Sequence, residues 1–469
     1  MTSPGNAMAC IGRWVVDVMA VLLFFMICWP ALRVNAFGEG VSLFEMPIVL
    51  CGVLWQNLGM TKPISKNAQP GASKGALSGV RILDMATVLA APFGATLCAD
   101  LGADVVKLEL PDGSDPLRGL QPVKDGVGLW FKVANRGKRG LSLDVRKPRG
   151  RELLLNMLAD FDVLVENFRT GTMDRWGLDT QTLLAANPRL VILRLTGFGQ
   201  TGPYSTRPGF ARIFEAMSGF TNLTGEDGGT PLHMNFPMGD AVSGVFAAFS
   251  IAAEIARLRG DPQAQGCEVD LSATEALFRL MDPLAVEHEQ LGVVRRPAGN
   301  CASYTAPSNM YMSRERVFFS LVASSNPIFT RLAHAVGHPE WASDPRFATN
   351  PARVANLTEL DALLTAWFVV RPWREIETTL EAEGIPFSKV YSIEDIERDP
   401  QFIARHAIVR LPDALYGSLP APCIVPRVPG RDMTVPRTGP ETGEHNAELL
   451  AAYGVDAAAL AVLRAEGVV

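Results

Sequence analysis

Within "FPMGDAVSGVFAAF", residues 236–249, one carboxylate stands at the head of a long run of small and apolar residues. Asp240 has two readings there. An Asp that opens a helix is first of all a cap, its side chain accepting the free amides of the first turn. A carboxylate can also be a nucleophile that takes up an acyl group and passes it on. The other reactive residue types are thinly spread. The 6 histidines show no metal-ligand spacing, and the 7 cysteines, at positions 10, 28, 51, 98, 267, 301 and 423, form no C-x-x-C pair. An odd, scattered set of thiols reads as reduced cysteines of a cytoplasmic protein, not as a disulfide framework or a zinc site. No metal is expected. No P-loop and no G-x-S-x-G elbow occurs in the chain.

The elements that must position Asp240 follow from periodicity. Asp240 leads a predicted helix over 239–260, whose Gly244, Ala247, Ala248, Ala252 and Ala253 let another backbone pack closely. Upstream, apolar strands over 80–85, 103–110, 162–168 and 188–199 are interspersed with helices over 91–102 and 148–161. A further helix is predicted over 210–220 and a strand over 267–272. Apolar strands separated by helices point to parallel βαβ units with both faces covered, a Rossmann-like α/β architecture. The first strand-to-helix turn, "DMATVLAAPFGAT", has a single glycine, so a dinucleotide held by a G-x-G-x-x-G loop is excluded. At 469 residues the chain is too long for one core. The pattern changes after about 295, and a second domain is expected up to about 400, followed by a Pro-rich and then helical tail. A net charge of -6 argues against nucleic-acid partners.

Residues 14–32, "WVVDVMAVLLFFMICWPAL", stand apart. They read as a signal-like segment with "VNA" at 34–36 as its cleavage site, as an anchor interrupted by Asp17 and Pro30, or as an addition outside the working protein. An ordinary polar start is available at Met60. A membrane-bound protein is not expected.

Several stretches in one order resemble the class III CoA-transferases, the formyl-CoA and carnitine-type acyl-CoA transferases. They are "VRILDMATVLAAPFGATLCADLGADVVKLELPDGSDPLRG", "NRGKRGLSLDVRKPRGRELL", "FDVLVENFRTGTMDRWGL", "GFGQTGPYSTRPGF", "MSGFTNLTG", "PMGDAVSGVFAAFSIAAEIARLRG" and "CEVDLSATEAL", with "GIPFSKVYSIEDIERDPQFIARH" further on. The likeness runs from about Val80 to the C-terminus and leaves out the first 60–75 residues. It implies a large Rossmann-like domain built from both chain ends, here 76–295 and 401–469, with a smaller α+β domain inserted over 296–400 and residues 1–75 as an extension. It also implies an interlinked homodimer. The implied activity moves coenzyme A between an acyl-CoA thioester and a small carboxylic acid through covalent intermediates on an aspartate. CoA is then a substrate, and no cofactor is permanently bound.

Residue by residue, the resemblance makes Asp240 the catalytic aspartate. It places CoA against Thr87, Val88 and Leu89, where apolar Leu89 departs from the polar residue frequent in the family. It adds Asn167 and Phe168, then Arg175 and Trp176 for phosphate and adenine. Arg136, Lys138 and Arg139 are candidates to neutralise CoA phosphates, or else a solvated basic turn. A related branch racemises acyl-CoA with a His–Asp pair. Phe210 stands where that histidine would fall and cannot move protons. The region "RRPAGNCASYTAPSNMYMS" lacks the glycine run of oxalate-specific transferases. The alternative is a CoA-binding member without transferase activity, or a lyase or racemase on the same fold.

Overall fold

Six short segments rich in Val, Leu and Ile form one parallel sheet in the computed structural model, which describes residues 75–112, 115–432 and 434–469. The hydrophobic N-terminal segment lies outside the described residues. The strands are β1 (Arg81–Asp84), β2 (Asp104–Glu109), β3 (Arg139–Ser142), β4 (Val163–Glu166), β5 (Val191–Thr196) and β6 (Cys267–Ser272). Their spatial order is β3-β2-β1-β4-β5-β6, with every neighbouring pair parallel. This is the order of dinucleotide-binding folds, in which the chain reverses direction across the sheet between β1 and β4. A crevice opens at that switch point, outside the carboxyl ends of the strands.

The strands bury both faces, as parallel strands do. Ile82, Val105, Val163, Val191 and Leu193 pack on one face against helix α1 (Ala90–Asp100) and a long helix, Met238–Gly260. Leu83, Val106, Leu141, Leu164 and Ile192 pack on the other, against helix α2 (Pro148–Leu158) and the C-terminal residues Leu449, Leu450, Leu460 and Leu463. The tail also completes the edge strand. Ser142 and Gly140 donate backbone N–H groups to Asn446 Oδ1 at 2.8 Å and His445 Nδ1 at 3.0 Å. Residues 311–385 enclose a separate apolar core, centred on Phe319, Phe329 and Phe368. Over it lies an antiparallel sheet of β7 (Ser308–Met312), β8 (Phe318–Val322) and β9 (Phe387–Lys389), ordered β9-β8-β7.

Periodicity did not show β3, because its approach carries "NRGKRG", the least strand-like run in the region. The structure gives the reason. Lys138 is wholly buried, and its Nζ lies 2.7 Å from Asp84 Oδ2 while also donating to Pro92 O and Asn135 Oδ1 at 2.8 Å. Beside it Lys107, equally buried, stands 2.9 Å from Asp115 Oδ2 and donates to Ala86 O. Glu109 pairs with Arg118 at 2.6 Å and accepts the Asp115 amide. Three carboxylates thus face three cations beneath the carboxyl edge of β1 and β2. Burial pulls Lys138 down to about 8 against the pull of Asp84. For Lys107 burial is outweighed by Asp84, Asp115 and Glu109, which hold its ammonium above the usual range.

Removing one member of a buried charge set leaves its partner uncompensated, which costs ~3–5 kcal/mol. Asp84→Asn keeps an oxygen for the Ala86 amide but deletes the charge facing Lys138. It is expected to lose stability on that scale in urea unfolding, or to yield no soluble protein. Asp104→Asn breaks a partly exposed pair with Arg139 and is expected to lose about 1 kcal/mol or less. Equal losses for the two variants would show that the buried set does not hold the fold.

Candidate active site

The chain leaves β1 through Met85–Leu89, and side chains bind five of the six backbone groups of residues 86–88. Asp84 Oδ1 accepts the Ala86 amide at 3.1 Å, and Lys107 takes the Ala86 carbonyl. Asn167, just past β4, accepts the Thr87 amide and donates to the Thr87 carbonyl, both at 2.8 Å. Asp115 Oδ1 accepts the Val88 amide at 2.8 Å and the Leu117 amide at 2.9 Å. Val88 is thereby held at a φ of 65°, a left-handed conformation that a β-branched residue adopts only under constraint. Leu89 occupies the N-cap position of α1 and turns into an apolar cluster with Leu117, Phe131 and Ala134. That is the apolar role its departure from the family pattern implies.

The second wall comes from far along the chain. Helix α3 (Ala211–Met217) and helix α4 (Met238–Gly260) meet the crevice at their N-terminal ends. A Cβ on Gly94 of α1 would lie 2.7 Å from the Ala247 Cβ and 2.9 Å from Gly244 O, and one on Gly244 would lie 2.7 Å from Ala90 O. Glycine at both positions lets α1 and α4 cross backbone to backbone, as the small residues of 244–253 suggested. This crossing carries the start of α4 to the turn after β1. By length and composition α4 could cross a membrane, but Ala247, Ile251, Ile255 and Leu258 are buried in the sheet's core.

A cavity of about 210 Å³ lies at this junction. It brings together Thr87, Val88, Leu89, Asn167, Phe168 and Asp240 from the residues proposed on sequence grounds. Phe210 lines it too, on the side of α3. Arg169 and Arg207 are further lining residues that sequence reasoning missed. Both are exposed, and neither forms an ion pair among the described residues; Arg207 lies flat over the Tyr204 ring at 3.5 Å. Their signal was present, since they stand inside "ENFRTG" and "YSTRPGF", but nothing local separates them from ordinary surface arginines.

Trp176 is half-buried behind the cavity and meets the Phe168 ring edge-on at 4.9 Å, so it supports that ring. Arg175 is exposed on the short helix Thr172–Arg175 and donates to Thr172 Oγ1 at 2.9 Å. The structure corrects the expectation for the basic run. Arg136 forks onto Asp100 at 2.9 and 2.5 Å, Lys138 is buried against Asp84, and Arg139 is matched by Asp104 and Glu448. None of the three lines the cavity, and their donors are spent on internal partners, so they are not free to neutralise phosphate.

Asp240 also departs from expectation. Pro237 holds the N-cap position, and Asp240 is the third residue of α4, with no side-chain cap bond. Its half-buried carboxylate forms no hydrogen bond or ion pair among the described residues. Burial pushes it up to about 7, and the nearby Glu215 carboxylate adds to the shift. Desolvation and like charge therefore outweigh the helix N-terminus, which by itself would hold the carboxylate ionised.

A larger cavity, about 670 Å³, is lined by Leu129, Trp130, Arg212, Met234, Phe236 and Pro237 among others. Pro237 and Asp240 line different cavities, so the first turn of α4 borders both. Among the described residues no group of three His, Cys, Asp or Glu could hold a metal ion.

The parallel sheet, with a strained turn and an unpaired carboxylate at its switch-point crevice, is a doubly wound α/β fold. Residues 77–446 match CoA-transferase family III, and the chain belongs to that family. It is 37% identical to a succinyl-CoA--D-citramalate CoA-transferase of Chloroflexus aurantiacus, over 84% of this chain and 98% of that one. It is 32% identical to a succinate--glutarate CoA-transferase of Agrobacterium fabrum, over 80% and 95%. Among solved structures, a CAIB/BAIF family protein from Brucella suis superposes with a TM-score of 0.72 at 30% identity, covering 81% of this chain and all of that one. The protein is a CoA-transferase that uses a CoA thioester as substrate.

The perturbed carboxylate makes a stability prediction. The unfolded chain loses the Asp240 proton near 3.8, the folded chain near 7. Between these values folding takes up a proton, so the protonated Asp240 favours the fold below about 3.8, and this is lost as pH rises through about 7. Asp240→Asn cannot ionise. Its melting temperature is expected to match wild type near pH 4 and to exceed it increasingly up to pH 8. A constant difference across that range in thermal melts would remove the perturbed carboxylate.

Proposed function

We propose that the chain transfers coenzyme A between an acyl-CoA thioester and a dicarboxylic acid, with Asp240 as the covalent carrier. The observation that carries this reading is the unpaired Asp240 carboxylate in the switch-point cavity with Thr87, Asn167 and Phe168. In the reaction an Asp240 oxygen attacks the thioester carbonyl carbon. The C–S bond breaks, CoA leaves as the thiolate and a mixed anhydride remains. The thiolate attacks the Asp240 carbonyl, releasing the first acid and leaving an aspartyl-CoA thioester. The acceptor carboxylate then attacks that thioester, and the thiolate completes the exchange at the acceptor's acyl carbon, restoring Asp240.

In this reading the turn 86–89 and Asn167–Phe168 hold the pantetheine and nucleotide portions. Arg169, Arg175 and Arg207, exposed and without ion pairs among the described residues, supply the phosphate contacts. The dicarboxylic acceptor is suggested by the names of the two relatives. No resident cofactor is invoked. Phe210 at the cavity speaks against a racemase, and the free carboxylate speaks against a protein that only binds CoA.

We further assign the chain to large-domain segments 76–295 and 401–469 around a small domain over 296–400. We assign it to an interlinked homodimer, because Val245 and Phe249 on α4 are 55% and 69% exposed and Phe210 is 73% exposed. A cytoplasmic setting fits the four unpaired cysteines of the described residues.

With succinyl-CoA and a panel of dicarboxylic acids, wild-type protein is expected to form the new CoA ester by mass spectrometry. Hydroxylamine should trap a modified Asp240. Asp240→Asn should bind CoA normally and transfer several orders of magnitude more slowly. A charge-assisted phosphate contact contributes ~1.5–3 kcal/mol, so Arg175→Ala is expected to weaken CoA binding roughly ten- to hundredfold. Full turnover by Asp240→Asn would place the nucleophile elsewhere, and unchanged CoA affinity of Arg175→Ala would take that residue out of the site.

A further inference from the structure

Glu215 is a charged residue that the transfer reaction above does not use, yet it is 1% exposed and sits beside the nucleophile. It lies on α3, next to Phe214 in the core. Its Oε1 accepts the Gly239 N–H at 2.9 Å. That amide belongs to the residue immediately before Asp240 and has no partner within its own helix, because it lies in the first turn of α4. Its Oε2 lies 3.3 Å from His233 Nδ1, which also faces Thr221 Oγ1 at 3.4 Å. A carboxylate on one helix therefore takes over the capping that Asp240 does not perform on its own.

We propose that Glu215 is a positioning residue for acyl transfer: it holds the Gly239–Asp240 peptide in place and acts through its charge on the Asp240 carboxylate, with His233 as its hydrogen-bond partner. The proposal rests on Asp240 as the acyl carrier.

The physical argument is one of like charges. Among the described residues, the Glu215 carboxylate is the charge that adds to burial in raising the Asp240 carboxyl. Arg169 and Arg207 line the same cavity as Asp240 but are exposed to solvent, and the remaining charged groups on the elements packed at this corner are directed elsewhere. Arg212 on α3 is exposed and lines the larger cavity. Helix α5 (Ala273–Arg279) brings Glu275, which is exposed, and Arg279, which pairs with Asp282. Arg194 on β5 is engaged by Glu166 and Glu268. When Asp240 attacks the thioester, its negative charge passes to the departing CoA sulfur, and the anhydride that remains is neutral at Asp240. Repulsion from Glu215 is relieved in that step, so the free carboxylate is raised relative to the acyl-enzyme. A carboxylate made more basic in this way is also the stronger nucleophile.

The test follows CoA-thiol release from succinyl-CoA in a single turnover of the full-length protein across pH 5–9. Glu215→Gln retains an oxygen for the Gly239 amide but loses the charge. Its acylation midpoint is expected to fall by about one pH unit, and its plateau rate above pH 8 to fall about tenfold, with a melting temperature that matches wild type near pH 4 and is no lower than wild type above pH 7. His233→Asn removes the ring nitrogen 3.3 Å from Glu215 Oε2, a hydrogen-bond partner that draws on the Glu215 charge, and is expected to move the midpoint upward. A Glu215→Gln profile that overlays wild type overturns the proposal. If Glu215→Gln does not fold, His233→Asn decides, and an unmoved midpoint overturns it. Asp240→Asn, run in parallel, separates the two readings: turnover in that variant sinks the carrier assignment itself. An inactive Asp240→Asn beside an unaltered Glu215→Gln sinks only the role of Glu215.

Discussion

The site depends on a set of charges that never meets solvent. Asp84, Lys107, Asp115 and Lys138 are buried at the carboxyl edge of the sheet, joined through Glu109 to Arg118. Taking single charges out of water is prohibitive, but here opposite charges are equal in number, and several also bind backbone groups. Among those groups are the Ala86 amide and carbonyl and the Val88 amide, so the ion pairs shape the turn after β1 directly. A neutral core could pack as well. It would have no means of gripping the Val88 amide and holding that residue left-handed.

The constraint propagates. Lys138 can reach Asp84 only because β3 runs beside β2, and β3 stays at the sheet edge because Asn446 and His445 bind its backbone. Residues some three hundred positions downstream thus help to hold the turn after β1. On the other side, two glycine contacts let α4 lie close to α1, and this brings Asp240 to the same crevice. The turn after β1 and Asp240 come from separate segments, but both are referred to the start of α1.

The reactivity of Asp240 illustrates how tertiary surroundings decide between opposed local effects. A first-turn position in a helix favours the anion. Partial burial and the Glu215 carboxylate disfavour it, and they prevail. The residue is consequently kept free of hydrogen bonds, while its neighbour Gly239 is held by the group that presses on it.

The α/β class was legible because apolar strands alternate with helices whichever residues surround them. The turn after β1, "ENF" and Asp240 were singled out by their place in a recognisable motif order, and the structure brings them to one cavity. The sequence by itself could not show β3, whose stabilising contacts are ion pairs invisible to hydrophobic periodicity. It pointed to Arg136, Lys138 and Arg139 as phosphate ligands, because a basic run looks alike whether its charges face solvent or buried carboxylates. It passed over Arg169, Arg207 and Glu215, single charged residues in unexceptional surroundings. Composition and spacing record which groups are available. Whether a charge is free, matched or set against a like charge depends on distances between segments remote in the chain, and only the folded structure determines those.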